Sequence, residues 1–257
     1  MSAFAAALLL IEFKKQSLIA GASPAQENTL FNETAAAEVA SPPVASGASN
    51  DNFAIVRQTV WGLPGSWLKR FIDISASITL IILASPLALL TALAIKLDSS
   101  GPVLYRQKRV GLRGQVFEVF KFRSMIMNAE PEGPQYARLL DDRVTRVGSV
   151  IRKFRIDEIP QAINVLRGEM SFVGPRPERP EFVKELEKEI PNYHARHIVK
   201  PGITGWAQVK YEYAATVDGA REKLRYDLFY IQNSAPLFDL VIILKTVRVA
   251  LFGIGSR

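Results

Sequence analysis

One apolar stretch, Phe71 to Leu97, constrains what this chain can fold into more than any other part of its sequence. Its charged residues, Asp73 and Lys96, stand near its two ends. A helix needs roughly 20 apolar residues to cross the hydrocarbon core of a bilayer, and this stretch is long enough. The sequence therefore predicts a helix that enters a membrane.

Two features of this stretch argue against a simple span. Ser85-Pro86 lies near its middle, and a proline removes a helical hydrogen bond and crowds the preceding turn. Cations flank both ends, although they normally collect on the cytoplasmic side: Lys69 and Arg70 before it, then Lys96, Arg106, Lys108, Arg109 and Arg113. A helix that breaks at Ser85-Pro86 and returns to the same face satisfies both features. Because membrane helices tolerate proline, a kinked span stays open as the alternative.

Composition narrows the classes of function. The chain has 257 residues, a formal charge of +7 and no cysteine, so disulfides, thiolate nucleophiles and cysteine metal sites are excluded. Residues 1–66 hold three cationic and five acidic side chains, so the positive charge lies in the remainder. A basic domain beside a membrane helix indicates anionic lipid headgroups or phosphorylated substrates. Nucleic acid is disfavoured because no motif for it is present.

The chain divides into three parts. Residues 1–65 are predicted as a disordered leader, because residues 17 to about 65 show no sustained periodicity, whereas residues 66–98 form the membrane helix and residues 99–257 form one further domain. In that domain the sequence predicts a β-hairpin around Gly111 to Gly114 and several helices, hence a mostly helical α+β fold. The last helix, Leu237 to Phe252, is mostly apolar with three charges. It suits either a membrane interface or the core.

The most distinctive candidate site is the adjacent pair Asp157-Glu158, in the segment RKFRIDEIP. Two nearby carboxylates can hold Mg²⁺, which proteins usually bind through one or two carboxylates plus substrate phosphates. One of them can also act as a nucleophile on phosphorus. On a regular helix the two point to different sides, but at a break before Pro160 they can converge. A solvated charge pair at a helix start is the alternative.

Two further segments have the composition of phosphate sites. In GPRPERP, prolines fix the backbone around Arg176, and a rigid guanidinium can clamp a phosphate bidentately. The alternative is a structural loop whose arginine pairs with a nearby glutamate. In KPGITGW, the glycines Gly202 and Gly205 permit close backbone approach, with amides that can face an anion or a base. Its spacing is not that of a P-loop.

Taken together, these segments resemble the bacterial sugar transferase family, the monotopic polyprenyl-phosphate phosphoglycosyltransferases. The resemblance runs from about Leu68 to the C-terminus and leaves the leader uncovered. Longer members carry spanning helices before this domain, so it implies a short form of the exopolysaccharide type. It rests on long motifs in the same order: KRFIDI, the apolar run with Ser85-Pro86, YRQKRVG, FKFRSM, TRVGSVIRKFRIDEIPQAINVLRGEMSFVGPRP, KPGITGWAQV and YDLFYIQNSAPLFDLVIILKTV.

The resemblance implies a mechanism. A UDP-sugar binds with Mg²⁺, and Asp157 attacks the sugar-bearing phosphorus. UMP is released, and a phosphosugar remains on the carboxylate. The phosphate of undecaprenyl phosphate then takes the phosphosugar. Glu158 would hold Mg²⁺ together with Asp157, or activate the acceptor. The residues implied as phosphate contacts are Arg152 and Arg176, with Lys121 and Arg123 of the KFRSM motif as further ones.

The resemblance also implies a location and partners. It predicts a re-entrant helix broken at Ser85-Pro86, interfacial amphipathic helices, and a catalytic domain at the cytoplasmic face of the bacterial inner membrane. The implied partners are a UDP-sugar, polyprenyl phosphate and membrane lipids, with a homodimer allowed. The pathway would be the first membrane step of exopolysaccharide, O-antigen or capsule synthesis. The alternatives are a scaffold built on an inactive transferase fold, and a single-displacement transferase in which Asp157 only holds the metal.

Overall fold

The computed structural model describes residues 66–131, 133–136, 141–211 and 216–252 of the chain. The predicted leader, residues 1–65, lies outside the described residues. The described part is mostly helical and carries small two-stranded sheets. The predicted mostly helical α+β class with a β-hairpin is therefore confirmed.

The elements are named here in chain order. They are α1 (Ser66–Asp98), β1 (Leu104–Val110), β2 (Val116–Phe122), α2 (Arg146–Lys153), a 3₁₀-helix (Ile156–Glu158), α3 (Gln161–Arg167), β3 (Ser171–Val173), α4 (Pro180–Glu189), a second 3₁₀-helix (Tyr193–Ile198), β4 (Gly202–Thr204), α5 (Trp206–Lys210), α6 (Val217–Asn233) and α7 (Pro236–Phe252). A short 3₁₀ turn, Leu112–Gly114, joins β1 to β2.

The apolar stretch forms one continuous helix, α1, with Pro86 inside it. Among the described residues it is the one helix long and apolar enough to cross a membrane. Pro86 has no N–H for the carbonyl of Ile82, but the Ser85 hydroxyl donates to that carbonyl over 2.8 Å. The hydrogen-bonded helix thus runs through Ser85-Pro86, because the serine hydroxyl replaces the bond that the proline removes, and a break of the helix axis at this point stays a prediction. The re-entrant course itself stays a prediction.

The N-terminal end of α1 is bound to the rest of the domain by charged groups. The Lys69 ammonium contacts the Asp239 carboxylate of α7 over 2.6 Å. Asp73 is 4% exposed and accepts hydrogen bonds from the Ser171 hydroxyl and the Phe172 amide, both over 3.0 Å. These contacts fix the start of α1 against β3 and α7.

The C-terminal end of α1 packs against the same domain through apolar contacts. Ile95, Phe122 and Ile151 form one buried cluster that joins α1 to β2 and α2. The Asp98 carboxylate accepts a hydrogen bond from the Val147 amide at the start of α2, over 3.2 Å. Both ends of the long helix are thus held by one folded domain.

The predicted hairpin is present. β1 and β2 pair antiparallel, with Leu104 opposite Phe122 and Val110 opposite Val116. The turn closes with a 2.8 Å hydrogen bond from the Gly111 amide to the Gln115 carbonyl. The face of the hairpin that carries Val119 packs on α3 and the loop after it, where Val119, Val165 and Met170 form a buried cluster.

The glycines of KPGITGW serve backbone packing. β3 and β4 pair in parallel, and a Cβ on Gly202 would lie 2.1 Å from the Gly174 amide nitrogen. A Cβ on Gly205 would lie 2.2 Å from the Gly174 carbonyl oxygen. The close approach that the sequence predicts is therefore made to the segment that carries Arg176.

The last helix, α7, has one buried side and one exposed apolar side. Ile242 is fully buried against the core, as is the Asp239 carboxylate at the start of the helix. Leu237, Leu240 and Leu244 lie on an exposed side, with Leu237 65% accessible. α7 therefore packs one face on the domain and leaves an apolar stripe uncovered among the described residues.

Candidate functional site

The Asp157-Glu158 pair lies in a tight turn between two helices. α2 ends at Lys153, and Arg155 then adopts a left-handed conformation with φ 56° and ψ 22°. The 3₁₀-helix Ile156–Glu158 follows, and α3 starts after Pro160. The pair is thus placed at the predicted break rather than inside a regular helix.

Glu158 is clamped by two cations. It is 7% exposed, and its carboxylate oxygens accept hydrogen bonds from Arg176 Nη1 over 3.1 Å, from Arg176 Nη2, and from Lys121 Nζ over 3.2 Å. Burial alone would raise the pKa of Glu158, but Arg176 and Lys121 hold it well below its usual range. Glu158 is therefore a permanent carboxylate at neutral pH.

Asp157 has the opposite electrostatics. Burial and the neighbouring Glu158 carboxylate raise the pKa of Asp157 to about 6, against the influence of Lys121, Arg176 and Arg152. The carboxylate is therefore ionised at pH 7.5 but poorly stabilised by its surroundings. Such a group gains from forming a bond that disperses its charge, which suits a nucleophile.

Two functional candidates were missed by the sequence analysis. A narrow cleft beside Glu158 is lined by Lys121 and Arg176 and also by Arg109 and Gln161. Burial, with some help from Arg176, lowers the pKa of Arg109 to about 10. Arg109 lies opposite Phe117, and Lys121 lies four residues further along β2, so the two-residue alternation of strand side chains was the signal that places Arg109 and Lys121 on one face of the hairpin.

The structure places some of the predicted phosphate contacts beside the carboxylate pair and one of them elsewhere. Arg176 and Lys121 reach the carboxylate pair, and Arg152 is half-buried and close enough to lower the pKa of Asp157. Arg123 is 4% exposed, and its guanidinium donates to the Ser99 carbonyl over 2.8 Å and to the carbonyl of the next residue. The structure therefore does not bring Arg123 to the carboxylate pair, and its role as a phosphate contact stays a prediction. Carbonyls at a helix end lack intrahelical partners and attract a cation, and Arg123 serves the end of α1.

The residues present fit a Mg²⁺ ion only in part. Among the described residues, no three histidine, cysteine or acidic side chains gather closely enough to form a metal site. Asp157 and Glu158 supply two carboxylates, and proteins usually hold Mg²⁺ through one or two carboxylates plus substrate phosphates. The oxygens of Glu158 already accept bonds from Arg176 and Lys121, so Asp157 is the less committed donor.

The charge balance of the site favours an anionic ligand. Two carboxylates stand among five cationic side chains that line the cleft or shift the pKa of the pair: Arg109, Lys121, Arg152, Arg155 and Arg176. Because cationic side chains outnumber the carboxylates, the net charge of the site is positive, and a phosphate or diphosphate entering the cleft would be attracted to it. The arrangement can therefore hold a phosphorylated substrate next to a nucleophilic carboxylate.

Comparisons with known proteins agree with this chemistry. A family model described as bacterial sugar transferase matches residues 65–253. The chain is 52% identical over 192 residues to the UDP-N-acetylgalactosamine-undecaprenyl-phosphate N-acetylgalactosaminephosphotransferase of Aeromonas hydrophila, a match that covers 75% of this chain. That match covers 45% of the Aeromonas protein, so the chain spans less than half of that relative.

Two further relatives differ in how much of them is matched. Identity is 46% over 183 residues with the UDP-glucose:undecaprenyl-phosphate glucose-1-phosphate transferase of Caulobacter vibrioides, covering 70% of this chain and 68% of that protein. It is 39% over 186 residues with the exopolysaccharide production protein PSS of Rhizobium leguminosarum bv. phaseoli, covering 70% of this chain and 93% of that protein. All three alignments cover most of this chain.

Proposed function

This chain belongs to the bacterial sugar transferase family, and from that premise we propose that it transfers a sugar 1-phosphate from a UDP-sugar to undecaprenyl phosphate. The observation that carries the proposal is the raised pKa and position of Asp157 beside the clamped Glu158. The names of the Aeromonas and Caulobacter relatives support both the donor and the acceptor class.

In the first step an Asp157 carboxylate oxygen attacks the sugar-bearing phosphorus of the donor. An O–P bond forms to the carboxylate, and the P–O bond to the α-phosphate breaks. UMP leaves with that electron pair, and a phosphosugar remains on Asp157. The negative charge that accumulates on the phosphoryl oxygens and on UMP is offset by Arg176, Lys121 and Arg109, which are already in place around the cleft.

In the second step a phosphate oxygen of undecaprenyl phosphate attacks the same phosphorus. The bond from phosphorus to Asp157 breaks, which returns the free carboxylate and gives undecaprenyl diphosphate sugar. Glu158 stays ionised throughout because Arg176 and Lys121 stabilise its charge. Its first role is to fix these two cations at the reacting phosphate, and the acid or base role is left to the substrate.

We propose Mg²⁺ as the cofactor, held by Asp157 and Glu158 together with substrate phosphate oxygens. When bound, the ion would neutralise phosphate charge and make UMP a better leaving group. Whichever oxygens coordinate it, the chain's own residues orient the donor, because Arg176 and Lys121 are fixed by their bonds to Glu158.

The proposed place of action is the cytoplasmic face of the bacterial inner membrane. Both ends of α1 are bound to the catalytic domain, while Leu83, Leu87 and Leu90 in its middle are exposed. A re-entrant course would bury these residues in lipid and keep both ends at one face. The exposed stripe of α7 suits the interface beside it. The name of the Rhizobium relative favours exopolysaccharide synthesis as the pathway.

The proposal is tested by UMP release from a panel of UDP-sugars, with undecaprenyl phosphate and Mg²⁺. We expect release with one donor, loss in Asp157→Ala, and wild-type rates in Asp218→Asn, whose carboxylate is an exposed partner of Arg221. A labelled phosphosugar trapped on the wild type but absent from Asp157→Asn would support the covalent intermediate. Turnover without any adduct or UMP exchange would replace it with single displacement.

A further inference from the structure

The segment that carries Arg176 has an unusual hydrogen-bonding problem. Pro175 and Pro177 flank the arginine, and neither has a backbone N–H. The segment therefore cannot pair as a regular strand, and its carbonyls depend on donors from elsewhere. The position of the Arg176 guanidinium is set by how firmly those carbonyls are held.

Five successive carbonyls of this segment each accept a bond from a different donor. Three donors are backbone amides and two are arginine side chains. The bonds are Gly202 N to Pro175 O over 2.9 Å, Arg196 Nη2 to Arg176 O over 2.8 Å, Arg109 Nη1 to Pro177 O over 3.1 Å, Val110 N to Glu178 O over 2.9 Å and Val183 N to Arg179 O over 2.9 Å. The carbonyl of Arg176 itself is thus held by the Arg196 side chain.

Arg196 is fixed in turn by a buried ion pair. It is 3% exposed, and its Nη2 lies 2.7 Å from the Asp227 carboxylate of α6, which is 1% exposed. Its Nη1 donates to the Tyr193 hydroxyl over 2.5 Å. Removing two charges from water costs free energy that their attraction often fails to return, so such a pair is weak evidence of a purely stabilising role.

We propose that Arg196, held by Asp227, is a positioning residue for the transfer reaction. It fixes the backbone of Arg176, and Arg176 then clamps Glu158 and presents its guanidinium to the cleft. The chain of contacts runs from α6 through the second 3₁₀-helix to the carboxylate pair. This inference rests on the proposed function, because it concerns the efficiency of that reaction.

The test replaces the ion pair with apolar side chains of similar size, Arg196→Met with Asp227→Leu. Such exchanges commonly preserve folding, so we expect a cooperative thermal transition near that of the wild type. The donor to the Arg176 carbonyl is lost, so we expect kcat for UMP release to fall at least tenfold, with a smaller change in KM. Tyr193→Phe is the matched control. It removes the other partner of Arg196 but leaves the bond to Arg176 O, and we expect less than a threefold change.

A double-mutant cycle separates positioning from general damage. If Arg196 acts through Arg176, the ion-pair replacement should cost less than threefold in an Arg176→Lys background. Losses that multiply, or a folded replacement that turns over like the wild type, would overturn the inference. If the replacement does not fold, Asp227→Asn carries the same comparison, since it keeps the size of the side chain but removes the charge that holds Arg196 Nη2. A wild type that releases no UMP would instead overturn the proposed function, which distinguishes the two failures.

Discussion

Asp157 carries a stability cost that follows from its electrostatics. Its pKa is raised from 3.8 to about 6, so the folded state binds a proton more tightly than the unfolded state. Above pH 6 both states are ionised, and the folded state bears the cost of a charge that its surroundings disfavour. The ionised carboxylate that the reaction needs therefore lowers the free energy of unfolding.

We predict that Asp157→Asn abolishes turnover and raises the thermal unfolding midpoint at pH 7.5. The expected gain in the free energy of unfolding is on the order of 1–3 kcal/mol, which follows from the size of the pKa shift. The gain in stability should be largest above about pH 6. It should shrink as the pH falls towards 4, because the wild-type carboxyl is then protonated in the folded state and is as uncharged as the amide of the variant. Thermal melts of both proteins from pH 4 to 8 check this. An equal gain at every pH would contradict the electrostatic cause.

The catalytic reaction itself should follow the same group. Since Asp157 must be ionised to attack, kcat/KM for the free enzyme should fall as the pH drops through about 6. The decrease should be about tenfold per pH unit, measured by UMP release with one donor. A profile that stays flat down to pH 5 would show that the nucleophile is a different group or has an ordinary pKa.

Arg176 and Arg123 offer a contrast between two arginines that look alike in the sequence. Arg176 clamps Glu158 at the cleft, whereas Arg123 caps carbonyls after α1. We predict that Arg176→Lys lowers kcat about tenfold to a hundredfold with little change in melting temperature, because a lysine cannot reproduce the bidentate bond. Arg123→Lys should lower the melting temperature and leave kcat per folded molecule within threefold. Measuring both quantities on both variants checks this, and exchanged phenotypes would contradict the assignment.

The continuity of α1 at Pro86 depends on one side-chain hydrogen bond that takes the place of a backbone one. The Ser85 hydroxyl donates to the carbonyl that Pro86 leaves without a partner. We predict that Ser85→Ala destabilises the protein in detergent by about 1 kcal/mol when Pro86 is present. In a Pro86→Ala background, where the amide N–H returns, the same change should be nearly neutral. Thermal melts of the four proteins of this cycle provide the measurement. An equal loss in both backgrounds would mean that the hydroxyl acts elsewhere.

Elements were more predictable than the contacts between them. The hairpin and the mostly helical class follow from periodicity and turn residues, and Gly168 ends α3 with φ 84°, a conformation that suits glycine. The hydrogen bonding of α1 through Pro86 depends on a single hydroxyl, which no periodicity reveals. The contacts of Arg109 and Arg123 could not be predicted because their partners lie far away in sequence, at Pro177 and Ser99. The Asp157-Glu158 pair was found because adjacent carboxylates among cations are locally visible.

The largest-scale question is how one helix can serve both a bilayer and a folded domain. α1 has 33 residues, which corresponds to roughly 50 Å as a straight helix and exceeds the roughly 30 Å hydrocarbon core. Its start is bound at Asp239 and its end packs at Phe122 and Ile151. A water-exposed domain that holds both ends cannot place them on opposite faces of a bilayer. This constraint supports the proposed re-entrant course, with Pro86 as the natural place for a bend.

The chain lacks cysteine, so single cysteines can report this topology without background. We predict that Trp67→Cys and Leu97→Cys, at positions 70% and 80% exposed, both react with an impermeant maleimide in inverted inner-membrane vesicles and not in intact spheroplasts. Glu187→Cys on α4 marks the face of the catalytic domain and should react in the same preparation. If Trp67→Cys and Leu97→Cys react from opposite sides, α1 spans the membrane. The domain would then have to release one end of the helix, and the contact between Lys69 and Asp239 would be the one to break.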